Sequence, residues 1–269
     1  MTLSTVSSFP MEDVAVTLGG GGERRSAPGW FQLYWPRDRD VAASFVHRAQ
    51  LAGFGAIVMT LDTWQLAWRP EVSPTPTCRS CPRTAPGTTH RSGVPGRPGA
   101  VSERGSGAAV LRWLGMFGDP SLTWSDLAWL REQTPLPIIL KGVCHPDDAR
   151  AALDAGVDGI IVSNHGGRQI DGARPAIDCL PEVVTAAGDL PVLFDSGIRS
   201  GADIVKAVAL GARACLVGRP WVFGLGIGGE AGVRHVLRCL LAEVELTMAL
   251  AGHAACATLE PDILVRNEL

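Results

Sequence analysis

No apolar run in the 269 residues reaches the roughly 18 needed to span a bilayer, and the amino terminus carries no charged-then-apolar signal pattern. These absences set the expectation of a cytoplasmic chain without a membrane partner. An excess of either charge is also missing: 24 Lys and Arg stand against 27 Asp and Glu, and the net charge of −3 leaves no basic footprint for nucleic acid. The seven cysteines, an odd number scattered through apparent strands and helices, read as reduced thiols rather than a disulfide framework. No lysine follows the glycine run Gly19 to Gly22 at phosphate-loop spacing, so that run reads as a flexible loop. Metal ligands are missing as well. Cys78-Arg79-Ser80-Cys81 has only His90 nearby, whereas a closed zinc site needs four ligands, so no metal is expected.

One stretch lacks almost everything a core needs. Between Ser73 and Gly107 there is no Leu, Ile, Met, Phe, Trp or Tyr, while there are six Pro, six Gly and five Arg. Such a composition neither builds nor covers a core. Read one register out, the codons of Pro76 to Thr89 can spell a segment with the aromatics and spacing of an ordered loop. A frameshifted segment and a genuine disordered insertion therefore both account for it.

Elsewhere the chain is 46% hydrophobic, enough for one large α/β domain. Leu3 to Val6 reads as a strand end, followed by a short helix from Pro10. Trp30 to Trp35 is a strand candidate with Gln32 and Tyr34 on one face. A helix over Arg39–Ala52 and a buried strand over Ala56–Asp62 come next. After the depleted stretch, Leu111 to Phe117 and the residues up to Glu132 read as helices. Strands over Pro137–Gly142, Ile160–Val162, Pro191–Phe194 and Ala214–Val217 then alternate with helices over Pro146–Ala155 and Gly201–Leu210. This is the rhythm of βα units.

The polar tips of these strands carry the candidate chemistry. Lys141 ends one strand, where a lysine compensates a negative ligand over a cavity. Ile160-Ile161-Val162 runs straight into Ser163-Asn164-His165-Gly166-Gly167-Arg168. The imidazole of His165 is the natural proton acceptor there, although a single histidine at a strand end also serves structural ends. The planar fork of Arg168 suits a carboxylate. Two successive strands end in Gly plus Arg, namely Gly197 with Arg199 and Gly218 with Arg219. In a (β/α)8 barrel the loops after the last strands bind phosphate, so a phosphorylated cofactor is the economical reading.

Together, Leu140-Lys141-Gly142, Ser163-Asn164-His165-Gly166-Gly167-Arg168-Gln169, Asp195-Ser196-Gly197-Ile198-Arg199 and Gly218-Arg219-Pro220 closely resemble the FMN-dependent α-hydroxy acid oxidases and dehydrogenases. Glycolate oxidase, lactate oxidase, mandelate dehydrogenase and lactate 2-monooxygenase belong to that family. Thr60-Leu61-Asp62-Thr63-Trp64 and Trp68-Arg69-Pro70 are most similar to the lactate 2-monooxygenase branch. The resemblance implies a single FMN-binding (β/α)8 TIM-barrel domain over residues 1–269, with 73–107 aberrant or disordered, and FMN as cofactor.

It also implies roles. Ser4, Gln32 and Thr60 would hydrogen-bond the flavin ring, Lys141 would stabilise negative charge on it, and Ser163 would join that shell. Asp195, Gly197, Arg199, Gly218 and Arg219 would hold the ribityl chain and phosphate. His165 would take the substrate proton with Asp62 in support, Arg168 and Arg69 would bind the substrate carboxylate, and Tyr34 would sit beside its hydroxyl. The implied reaction is oxidation of a small, lactate-like L-2-hydroxy acid to the 2-oxo acid, or its oxidative decarboxylation. Oxygen would accept the electrons and the assembly would be a homo-tetramer. Type 2 isopentenyl diphosphate isomerases share the phosphate-site logic, but the His165 and Arg168 spacing favours a hydroxy acid.

The sequence also departs from the family. The family's first strand, a flavin-contacting Pro-Thr-Ala turn and a carboxylate-binding tyrosine precede the position of Ser4 and have no counterpart here. An amino-terminally truncated barrel lacking its first strand is the expectation, and a catalytically impaired remnant is the alternative to an active enzyme.

Overall fold

A computed structural model describes residues 1–19, 28–65, 113 and 115–265. The depleted stretch 73–107, Arg69, most of the glycine run and the Cys78/Cys81 pair lie outside the described residues. The chain divides into two compact units, Met1–Leu140 and Lys141–Leu269.

In the first unit, β1 (Thr2–Ser4), β2 (Trp30–Leu33) and β3 (Ala56–Thr60) run parallel, with Ser4 beside Gln32 and Gln32 beside Val58. All five residues of β3 are buried, as expected of a parallel strand covered on both faces. Helix α1 (Met11–Gly19) follows β1 and α2 (Arg39–Leu51) follows β2. The Asp38 carboxylate caps α2 by accepting from the amides of Asp40 and Val41, while Ala42, Phe45, Val46 and Ala49 form its buried stripe. Helix α3 (Asp126–Gln133) is tied to α2 by Arg39, whose guanidinium pairs with Asp126 at 2.6 Å. The same guanidinium lies over the rings of Trp35 and Trp129. Trp113, Gly115 and Met116 are helical, and Ile57 N donates to Pro137 O at the entry to β4 (Ile138–Val143).

The second unit repeats the pattern. Helix α4 (Pro146–Asp154) precedes β5 (Gly159–Val162), and α5 (Ala176–Ala187) leads to β6 (Val192–Phe194), which pairs with β5 in parallel. Helix α6 (Gly201–Ala209) opens with a capping box between Ser200 and Asp203. Its buried Val205 and Ala209 pack with Met248 and Leu259. Parallel ladders and a helix after each strand are the repeat of a (β/α)8 barrel, so the expected α/β fold class holds. Among the described residues six strands are present, and no helix is long and apolar enough to cross a membrane.

Three local expectations are corrected. Tyr34 and Trp35 lie beyond the end of β2, because the Tyr34 amide turns to the Thr5 hydroxyl instead of continuing the ladder. Leu61 and Asp62 likewise follow β3. Ala214–Val217 is not an extended strand. It touches β6 through one bridge, Phe194 to Cys215, before the backbone turns at Gly218 (φ −101°, ψ −97°) into α7 (Arg219–Leu250). Helix α7 was not legible as one element, because Gly229 at φ 55° breaks it and lets its two arms fold together. A Cβ on Gly224 would sit 2.7 Å from the Gly232 carbonyl oxygen, which explains glycine at that crossing.

Candidate active site

The second unit gathers its candidates around one hydroxyl. Ser163, 1% exposed, follows β5 and donates to the Asp195 carboxylate at 2.6 Å. It accepts from Lys141 Nζ at 2.9 Å and from the His165 backbone amide at 3.0 Å. One donor and two acceptors exhaust a serine hydroxyl. Lys141 Nζ also lies 3.0 Å from Asp195, closing a triangle of ammonium, carboxylate and hydroxyl whose charged side chains are only 14% and 17% exposed. Charge-assisted bonds of this kind are strong where water is scarce.

His165 sits on a tight turn over residues 165–167, with φ of 57°, 67° and 71° at His165, Gly166 and Gly167. The two glycines adopt the left-handed region at no steric cost, whereas His165 does so against its preference. Oxygen acceptors hold every amide of the turn. The Asn164 and Gly166 amides donate to Ser196 Oγ at 3.3 and 3.0 Å, His165 N to Ser163 Oγ, and Gly167 N to Asn164 Oδ1 at 3.0 Å. From the other side, Arg219 Nη2 donates to the Gly166 carbonyl at 2.7 Å.

A cavity of about 270 Å³ opens beside this turn, lined by Lys141, His165, Arg168, Asp195, Arg199 and Arg219 among others. Gly197 and Gly218 also line it, with open space where a Cβ would stand. The capping box and the Glu243 carboxylate, which accepts from Gly201 N at 2.6 Å, occupy the first amides of α6. Helix α7 differs, since Gly218 gives its first turn no side-chain cap. Three cations and an uncapped helix start face one carboxylate that Lys141 already neutralises. That donor set fits the phosphate of a flavin nucleotide and the negative charge its ring gains on reduction.

The first unit brings Ser4, Gln32 and Thr60 together at the carboxyl ends of adjacent strands. Ser4 Oγ donates to Gln32 Oε1 at 2.8 Å and Gln32 Nε2 donates to Thr60 Oγ1 at 2.9 Å. The Gln32 amide is thus fixed at both ends, and one further N–H remains for a ligand. Asp62 accepts from Thr63 Oγ1 at 2.7 Å. The Tyr34 ring stands edge-on to Phe117, with centroids 5.2 Å apart.

Two residues that sequence reasoning passed over are structurally prominent. Thr5 is fully buried, donates to the Gln32 carbonyl at 2.6 Å and accepts the Tyr34 amide at 3.0 Å. Ser196 holds two amides of the His165 turn while sitting at φ 92°. The only sequence cue to either is a hydroxyl residue next to a motif residue.

The sequence matches the model of the family described as FMN-dependent dehydrogenase over residues 1–266. It is 42% identical to the FMN-dependent alpha-hydroxy acid dehydrogenase qulF of Penicillium citrinum, over 98% of this chain and 66% of that protein. Identity with the L-lactate oxidase of Lysinibacillus sphaericus (strain C3-41) is 40%, over 98% and 67%. Among solved structures, that of mandelate oxidase superposes with a TM-score of 0.78 at 37% identity, covering 97% of this chain and 68% of that one. The chain thus spans about two thirds of the length of the curated relatives it matches. With the βα repeat, the Lys141–Ser163–Asp195 triangle and the His165 turn, these matches show that the chain belongs to the FMN-dependent dehydrogenase family of α-hydroxy acid oxidoreductases.

Proposed function

We propose that this chain carries out the FMN-dependent oxidation of a small L-2-hydroxy acid, lactate-like in size, to the 2-oxo acid, with oxygen as the final electron acceptor. The observation that carries the reading is the single hydroxyl of Ser163, which ties the ammonium of Lys141 to the turn that presents His165.

His165 takes up a substrate proton, for which an imidazole is suited near neutral pH. Arg168, exposed on the same cavity, holds the substrate carboxylate with its planar fork. Arg69 is retained as its helper, Asp62 as the carboxylate in support of the base, and Tyr34 as the partner of the substrate hydroxyl. The chemistry that FMN supplies when bound is acceptance of the electron pair that leaves the substrate. Lys141 offsets negative charge on the ring, and Ser163 and Asp195 fix the direction of its ammonium. Gly197, Arg199, Gly218 and Arg219 hold the phosphate end, while Ser4, Gln32 and Thr60 present hydrogen-bonding groups to the ring. Oxidative decarboxylation, as in lactate 2-monooxygenase, is the variant outcome that product analysis separates from simple oxidation. Assembly as a homo-tetramer and a cytoplasmic location belong to the same proposal.

The test is product analysis on FMN-loaded protein given a panel of L- and D-2-hydroxy acids. Formation of a 2-oxo acid, or of the acid one carbon shorter, from L-substrates alone supports the proposal, and its loss in His165→Asn assigns the base. Absence of product from every acid with flavin bound contradicts it.

A further inference from the structure

We infer that Ser196 is a positioning residue for His165, a role that rests on the reading of His165 as the base. A non-glycine residue at φ 92° is uncommon, and the neighbouring Gly197 at φ 84° shows that the backbone here suits glycine. Serine stands here against that preference, and its side chain makes bonds that a glycine could not. Ser196 Oγ lies 3.3 Å from the Asn164 amide and 3.0 Å from the Gly166 amide, so one oxygen accepts from the residues on both sides of His165. A hydroxyl has two lone pairs, and these two bonds use both.

The turn needs such a brace. Its three consecutive left-handed residues make no regular ladder, and His165 itself sits at φ 57°. Without Ser196 Oγ, two of the four amides over residues 164–167 lose their acceptor, and the turn keeps only Ser163 and Asn164 on that side. Arg219 pulls on the opposite face through the Gly166 carbonyl. The turn that carries the imidazole is therefore held between Ser196 and Arg219, although neither residue is placed at the reacting atoms. Misplacing a reacting group by about an ångström costs on the order of 100-fold in rate.

Two variants separate the hydroxyl from the backbone conformation. Ser196→Gly removes the hydroxyl and relieves the φ of 92°, whereas Ser196→Ala removes the hydroxyl and keeps the side-chain carbon. The experiment measures amide hydrogen exchange at Asn164 and Gly166, kcat on L-lactate, flavin retention and Tm in FMN-loaded protein. Both variants are expected to exchange those two amides at least ~10-fold faster and to lose about 10- to 100-fold in kcat. Ser196→Gly is expected to keep its flavin and to melt at or above the wild-type temperature. Unchanged exchange at both amides in Ser196→Gly overturns the inference, as does wild-type kcat in that variant. If the wild-type protein turns over no hydroxy acid, the proposed function fails, and hydrogen exchange alone still decides whether Ser196 holds the turn.

Discussion

Lys141 Nζ stands 3.0 Å from the Asp195 carboxylate, and both groups bond the same serine hydroxyl. Removing one member of such a half-dry pair strands the other. Lys141→Met is expected to cost about 3 kcal/mol of stability and to weaken FMN binding. Asp195→Asn combined with it recovers part of the loss, so a double-mutant cycle by thermal unfolding returns a favourable coupling. Additive losses would mean that the pair does not act as a unit.

Gln32 is fixed by Ser4 on one side and Thr60 on the other while only 7% exposed. Gln32→Leu keeps the volume and leaves both hydroxyls without their partner. The expected cost is about 1–3 kcal/mol, read as a lower urea midpoint at unchanged m-value.

His165 is half-buried on its turn, and its backbone amide donates to Ser163 Oγ. His165→Asn tolerates the left-handed conformation and keeps that amide bond. A fall of about 10²- to 10⁴-fold in kcat with unchanged flavin retention is the expected outcome, measured by steady-state turnover and flavin absorbance.

Legibility followed locality. The βα rhythm, the lysine near the carboxyl end of β4 and the His165 loop are contiguous patterns, and each was visible as an apolar run meeting polar residues. The Ser4, Gln32 and Thr60 assignments came through resemblance, and parallel register brings the three into one hydrogen-bonded row. Ser196 and Thr5 were passed over because their bonds reach about 30 residues along the chain, to partners that only the folded register brings near. The strand expected over Ala214–Val217 shrank to one bridge because the turn at Gly218 ends the pairing, a backbone event with no hydrophobic signature.

Asp203 caps α6, and its carboxyl is held below the usual range. Burial pushes it up, but bonds from the Arg199 and Ser200 amides and the Ser200 hydroxyl outweigh that. A carboxyl with a lowered folded-state pKa contributes fully above the unfolded value of about 4 and loses its contribution as the pH falls through the lowered value. Asp203→Asn should therefore be less stable than wild type by about 1 kcal/mol at pH 7, the usual worth of a cap. The gap should narrow below about pH 4. Chemical denaturation at several pH values measures it, and a gap constant from pH 7 to pH 3 would contradict the assignment.

Burial pushes the Cys215 thiol up to about 12, so its thiolate is scarce at neutral pH. Cys239 and Cys256 are exposed. Iodoacetamide at pH 8 is expected to modify those two well before the half-buried Cys215, as followed by peptide mass spectrometry.

The central claim is that the chain uses FMN to oxidise a small L-2-hydroxy acid, and anaerobic mixing of the FMN-loaded protein with L-lactate tests it most directly. The account predicts that the yellow flavin absorbance bleaches on addition of the L-acid, stays unchanged with the D-acid and returns when oxygen is admitted. A protein that holds FMN and stays yellow with every L-2-hydroxy acid offered would contradict it.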